Sequence, residues 1–174
     1  PSAQAVAQAV MDRPVVFMAV TDPAAAGLVE SPEKPGANVT GISDRLPIAE
    51  QLSLVKQISP DAKTVGIVYS SGETNSEVQV ADAKQAAPEL GLEIKESTIT
   101  NSAEVQQGVQ ALGDVDAIYV PTDNTVVSAL ETVIGYAQEK KIPVVSADAD
   151  SVARGTVITK GIDYYEHGKQ AGEM

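Results

Sequence analysis

From Thr64 onward the chain alternates short runs rich in β-branched residues with longer stretches of helical spacing, which restricts the fold more than any other feature. The runs lie at 64–69, 92–98, 115–120, 142–147 and 156–159. Repeated βα units of this kind build a parallel sheet with helices on both faces. Such a sheet is buried on both sides, so its core must be aliphatic. The composition agrees: hydrophobic residues are 43% of the chain, aromatics only 3%, and tryptophan is absent. Five strands with flanking helices make one complete lobe.

The helices carry their own marks. Thr74, Asn75, Ser76 and Glu77 read as a capping box, a hydroxyl and a glutamate three residues apart. The helix they open ends at Gly91, where glycine suits a left-handed turn. Val126, Val127, Leu130, Val133, Ile134 and Ala137 recur at helical spacing and predict one continuous helix, with Lys140 and Lys141 at the end that favours cations.

The amino-terminal part is organised differently. A helix at 3–11 leads into a strand at 15–20, then a short helix after Pro23, then a break at 32–36 set by Pro32, Pro35 and Gly36. Residues 38–42 read as an extended crossing segment, and Ile48, Leu52, Val55 and Ile58 mark an amphipathic helix. One strand with two helices cannot cover both faces of a parallel sheet, so residues 1–43 read as part of a second lobe and residues 44–174 as the complete one.

Charge narrows the function. The net charge is −12, with 12 basic residues scattered among 24 acidic ones, which opposes binding to nucleic acid or to an anionic membrane surface. There is no cysteine, hence neither thiolate chemistry nor disulfides. No apolar stretch approaches the roughly 20 residues of a membrane span. The sequence begins Pro1-Ser2-Ala3, without methionine and inside helical sequence, so a removed leader or a larger amino-terminal portion is expected.

Hydroxyls and carboxylates gather just past the strands. Thr21-Asp22 follows the first strand and Thr122-Asp123-Asn124 follows the run at 115–120; Tyr69-Ser70-Ser71, Asp148 with Asp150, and Asp163 stand at other tips. In open α/β sheets ligands bind outside the carboxyl ends of the strands. Hydroxyls and helix amides suit a carboxylate, and aspartates suit an ammonium, so the set suits a zwitterion such as an amino acid. Capping competes with this reading. Asp22 before Pro23 fits an N-cap and a ligand contact equally; Asp123, Asp148 and Asp163 are cap candidates too. Tyr69 and Tyr164 suit either a ring-bearing ligand or simple packing, whereas Phe17, Tyr119 and Tyr136 read as core.

Catalytic parts are scarce. The single histidine, His167, lies among charged neighbours and reads as a solvated surface residue. With no second histidine and no cysteine, triads and zinc sites lack their components. No glycine-rich phosphate loop follows a strand. A phosphoacceptor domain wants paired acids where Tyr69-Ser70-Ser71 stands, although Lys160 fits its lysine. Neither a metal nor a cofactor is expected.

Several stretches together carry a resemblance. Ala19 to Pro23 with Ala26 to Val29, Glu33 to Gly41, Asp148 to Val152, Gly161 to Glu166 with Gly168, and above all the string Asp116 to Val127 resemble the tryptophan/tyrosine-type substrate-binding proteins of ABC transporters. The likeness implies the periplasmic-binding-protein type I fold, two α/β lobes joined by a hinge and closing on a small ligand. It implies a non-enzymatic, extracytoplasmic receptor that hands an amino acid to a permease. By matching motif, the contacts would be Thr21, Asp22, Ser43 and Asp44, with Tyr69, Asn75, Thr122, Asp123, Asn124, Asp148 and Asp163. It also implies two further βα units before Pro1 and a closing helix after Met174. The partial lobe would expose a sheet edge, and self-association through it is expected. Two other readings stand beside this one: a Mg²⁺-dependent α/β enzyme using the strand-end aspartates, and a structural fragment in which they are only caps.

Overall fold

The computed structural model describes residues 1–174. It divides into two compact units, one of Pro1–Leu46 with Ile162–Met174, the other of Pro47–Gly161.

The second unit holds the five-stranded sheet. Its elements are α2 (Ile48–Ile58), β3 (Thr64–Ser70), α3 (Thr74–Ala86), β4 (Glu93–Ile99), α4 (Val105–Ala111), β5 (Ala117–Val120), α5 (Asn124–Ser128), α6 (Leu130–Lys140), β6 (Val144–Ser146), α7 (Asp150–Arg154) and β7 (Ile158–Thr159). The strands are all parallel, in the order β4-β3-β5-β6-β7. The alternation of side chains along each strand divides the core. Val65, Ile67, Ala117, Tyr119, Val145 and Ala147 face α2 and α3, while Val68, Ile99, Ile118, Val120 and Val144 face α4, α5 and α6. The expected aliphatic sheet, covered on both faces, is present.

One buried polar group interrupts the apolar layer under α2. Gln51 is fully buried; it accepts from the Tyr119 hydroxyl at 2.5 Å and donates to the Lys160 carbonyl at 2.9 Å. Burial accordingly pushes the Tyr119 hydroxyl pKa well up, and Tyr119 is core as read from the sequence.

The helix read as continuous through Ala137 is two. The backbone leaves helical geometry at Ala129 (φ −120°, ψ 30°), separating α5, which is anchored at β3, from α6, which lies on α4. The helix α6 ends in a Schellman turn: Lys141 N–H donates to Gln138 and Ile142 N–H to Ala137, with Lys141 left-handed at φ 58°. Gly91, at φ 63°, takes the left-handed position expected of it after a 3₁₀ turn at Ala87–Leu90.

The first unit contains α1 (Ser2–Ala9), β1 (Val15–Phe17), β2 (Val39–Gly41) and α8 (Tyr164–Gly172). Strands β1 and β2 form a two-stranded parallel sheet over Phe17, Leu28 and Val39. Gly41 is required at that contact, since a Cβ there would lie 2.1 Å from the Phe17 carbonyl oxygen. The first strand is shorter than the apolar run from Val15 to Val20, because Ala19 turns the chain with a left-handed φ of 55°. After Pro23 there is a single turn, not a helix, ended by Gly27 at φ 69°.

The division differs from a boundary after Ser43. Asp44 belongs with the first unit because its carboxylate is bonded there, and the closing segment folds with that unit too: Tyr164 donates to Asp44 at 3.2 Å. His167, read as solvated, is buried at 8% exposure, its ring edge-on to Tyr164. The charged neighbours in sequence lie on the outer face of α8, and His167 lies on its inner one. No helix in the chain is long and apolar enough to cross a membrane.

Candidate functional site

The strand order places one position apart from the rest. From β3 the chain goes first to β4 on one side and then to β5 on the other, so its direction reverses between β3 and β5. Carboxyl ends of strands at such a switch point are where open α/β sheets bind ligands. Residues 70–76 and 121–125 meet there.

Their meeting is held by four side chains from the start of α3. Gln79 accepts from Thr122 N–H at 3.1 Å and donates to the Thr122 hydroxyl at 2.7 Å. Asn75 donates to the Thr122 carbonyl at 2.8 Å. Ser76 donates to Asp123 at 2.6 Å, and Glu73 takes hold of Asn124 and Thr125. Thr122 is therefore gripped at its amide, carbonyl and hydroxyl, with the hydroxyl proton still available.

Asp123 is fully buried and its donors are all protein groups. One oxygen accepts from Val126 N–H at 2.7 Å, capping α5; the other accepts from Ser70 N–H at 2.7 Å and the Ser76 hydroxyl at 2.6 Å. Expected at the ligand surface, this carboxylate instead bolts the two strand ends together, because three donors surround it and solvent does not reach it.

Glu73 completes the cap. Its carboxylate accepts from Asn124 N–H at 3.0 Å and Asn124 Nδ2 at 2.6 Å, from Thr125 N–H at 2.9 Å and Oγ1 at 2.8 Å, and from Asn75 Nδ2 at 3.2 Å. Burial pushes its pKa up, but the hydrogen bonds from Asn124, Thr125 and Asn75 outweigh this and hold it below the usual glutamate range. The first three amides of α5 are thus all satisfied by protein carboxylates, and that helix end offers no vacant donor to an anion.

Sequence reading missed Glu73 and misplaced the cap of α3. Thr74 is the first helical residue, Glu73 stands at the N-cap without a side-chain cap bond, and Glu77 N–H goes to the Glu73 carbonyl. The Thr-x-x-Glu box is displaced because Glu73 is drawn across to α5. No local pattern could have signalled this, since its partners lie about fifty residues away in sequence.

The remaining candidates of this unit lie apart from that cluster. Asp148, past β6, accepts from Ser151 N–H at 2.9 Å and the Ser151 hydroxyl at 2.6 Å, a cap for α7. Tyr69 leans back across β4, its hydroxyl 3.5 Å from Glu96, which Lys84 also contacts at 2.7 Å. Glu96 is opposite Ile67, two residues before Tyr69, so the ring points away from the strand tips. Burial and then the Glu96 charge push the Tyr69 pKa up. Asp116, which opens the string of greatest likeness, ties Lys63 N–H and Thr64 N–H at 2.8 Å each, at the opposite end of the sheet.

In the first unit the structure brings Thr21, Asp22, Ser43 and Asp44 together. Buried Thr21 donates to Asp44 at 3.1 Å, Ser43 donates to the Thr21 carbonyl at 2.8 Å, and Tyr164 holds the other Asp44 oxygen. Asp22 caps the turn through Ala24 N–H and Ala25 N–H at 3.1 and 2.9 Å, and accepts from Arg45 at 2.8 Å. Asp163 caps α8 through Tyr165 and Glu166 N–H at 2.9 and 3.1 Å. No three carboxylates or imidazoles in the chain converge as metal ligands.

Comparison with known proteins agrees with this architecture. The family model for ABC transporter substrate binding proteins matches residues 1–174. A tyrosine-binding protein of Clostridioides difficile (strain R20291) is 45% identical over 175 residues, covering 100% of this chain and 51% of the relative. The chain thus spans about half the length of that curated relative. Among solved structures, an ABC domain in complex with L-Trp from Streptococcus pneumoniae matches with TM-score 0.96 at 39% identity, over 100% of this chain and 59% of that one. A conserved domain protein from Vibrio cholerae matches with TM-score 0.95 at 42% identity, over 99% and 59%. With its five-stranded parallel unit, its strand-end polar groups and a match along its whole length, the chain belongs to the family of ABC transporter substrate-binding proteins.

Proposed function

We propose that this chain is the ligand-recognising portion of an extracytoplasmic receptor for an amino acid, serving an ABC importer and acting without catalysis. The observation that carries the reading is the surface left at the switch point after the internal bonds are made. The side-chain carbonyls of Asn75 and Asn124 accept no hydrogen bond within the chain, and the Thr122 hydroxyl accepts from Gln79 while keeping its own proton. Two acceptors and one hydroxyl suit the ammonium and a further polar atom of an α-amino acid. The relatives point the same way, one named for tyrosine and one holding L-Trp, which favours an aromatic amino acid.

In this reading Asn75, Thr122 and Asn124 touch ligand directly. Asp123 and Glu73 act behind them, and Asp148 shapes its own strand end. The polar surface of the first unit is that of Asp22, Ser43 and Asp163, with buried Thr21 and Asp44 supporting it from behind. The permease is the partner that receives the ligand. Titration calorimetry of the full-length protein with L-tyrosine, L-tryptophan and a panel of other amino acids tests the proposal. Heat and saturation with an aromatic member are expected; silence with every member refutes it.

A further inference from the structure

Glu73 touches the residues that the proposed function makes ligand-facing, and its role rests on that reading of residues 75, 122 and 124. Glu73 is only 5% exposed and lies behind both asparagines, touching each through the same oxygen, Asn124 Nδ2 at 2.6 Å and Asn75 Nδ2 at 3.2 Å. A carboxylate accepts hydrogen bonds and donates none. Each amide must therefore turn its NH₂ group toward Glu73, and the second Asn75 hydrogen goes on to the Thr122 carbonyl at 2.8 Å. The two side-chain carbonyls are left facing away. An asparagine amide can present either a donor or an acceptor by a half-turn, and the network around it decides which.

We propose that Glu73 is a specificity-determining residue: by accepting from both amides at once it sets Asn124, and together with the Thr122 carbonyl Asn75, to present acceptors, and so selects ligands that carry a hydrogen-bond donor, an α-ammonium above all. The role is one of polarity as much as of position. A glutamine at 73 keeps the shape but must place its own NH₂ at one oxygen. With Oε1 still serving the Thr125 amide and hydroxyl, that NH₂ would face three donors: Asn124 N–H and the two asparagine amides. Asn124, exposed and held through its side chain by Glu73, can relieve the conflict by turning over, which presents its NH₂ group to the ligand, whereas Asn75 stays fixed by the Thr122 carbonyl. The surface then sets a donor against an ammonium where it previously offered an acceptor.

The test uses the full-length protein at neutral pH, titrated with L-tyrosine and with 3-(4-hydroxyphenyl)propanoate, which lacks the ammonium. Failure of the wild type to bind any amino acid of the panel refutes the functional reading and this inference with it; a wild type that takes L-tryptophan in place of L-tyrosine is tested in the same way with L-tryptophan and 3-(indol-3-yl)propanoate. If L-tyrosine binds, Glu73→Gln is expected to weaken it at least about tenfold relative to the des-amino compound, the size of effect seen when a charged donor loses its acceptor. Equal weakening of both compounds, or no change in their ratio, overturns the inference. Asp116→Asn serves as the structural control: it loosens the far end of the sheet, lowers stability, and leaves the ratio unchanged. Should Glu73→Gln not fold, the exposed Asn124→Ala removes one outward carbonyl and is expected to move the ratio in the same direction. An unmoved ratio there also overturns the inference.

Discussion

Replacing Asp123 by alanine separates a buried bolt from an ordinary helix cap. A cap alone is worth about 1 kcal/mol, and the Val126 N–H bond supplies that much here. The structure adds two further donors with nowhere to turn to water: Asp123 and Ser76 are wholly buried, and Ser70 is 3% exposed. The Ser70 backbone N–H is fixed by its strand, so leaving it unpaired costs about 1–3 kcal/mol. The Ser76 hydroxyl can rotate toward a helix carbonyl and recover most of its bond. Removing a buried charge returns some free energy, which lowers the sum. The expected loss is about 3 kcal/mol. Asp123→Asn keeps an acceptor for Val126 but sets an NH₂ against Ser70 N–H, for about 2 kcal/mol. Asp148→Ala belongs to the same unit and removes a half-buried cap, so it should cost about 1 kcal/mol. Urea unfolding of the three variants, followed by far-UV circular dichroism, measures these differences within one cooperative unit. Equal losses of about 1 kcal/mol for Asp123→Ala and Asp148→Ala would refute the reasoning.

Acid should expose the Glu73 anchor. Its folded pKa lies below the ordinary value of 4.5, so its stabilisation is complete above that value and is lost as pH falls through the folded pKa. Urea midpoints of the wild type are expected to fall toward those of Glu73→Gln between about pH 5 and pH 3, with a shallower slope in the variant; parallel slopes would show that the carboxylate is not the linked group. In the first unit, Gly41→Ala drives a methyl group into the Phe17 carbonyl and ring, a backbone clash that cannot be relieved by a rotamer. A loss of about 3 kcal/mol or more is expected, and a thermal shift near zero would contradict the close packing of β1 on β2.

The sheet was legible because its physics is local. An aliphatic run between turn signals becomes a buried strand wherever helices can cover it, and five such runs became β3 to β7. Gly91 was legible for the same reason, since its left-handed turn is a preference of one residue. The break at Ala129 was not, because the apolar spacing runs through it while the backbone does not. His167 was misjudged from its sequence neighbours, although on a helix adjacent residues face different ways.

The strand-end chemistry shows the division most clearly. Thr21-Asp22 and Thr122-Asp123 are the same dipeptide after the same kind of run, and sequence alone determined that each aspartate could cap the next turn of backbone, although β1 stops at Phe17 and the chain turns at Ala19 before it reaches Thr21. What became of each carboxylate was decided by what lay across from it. Asp22 remains partly exposed against Arg45, whereas Asp123 is sealed between Ser70, Ser76 and Val126. The strand order that brings β3 beside β5, and with it Glu73 beside Asn124, comes from packing between segments about fifty residues apart. A hydrogen bond depends on partners within about 3 Å, and which partners those are is a property of the fold and not of the neighbouring residues in the chain.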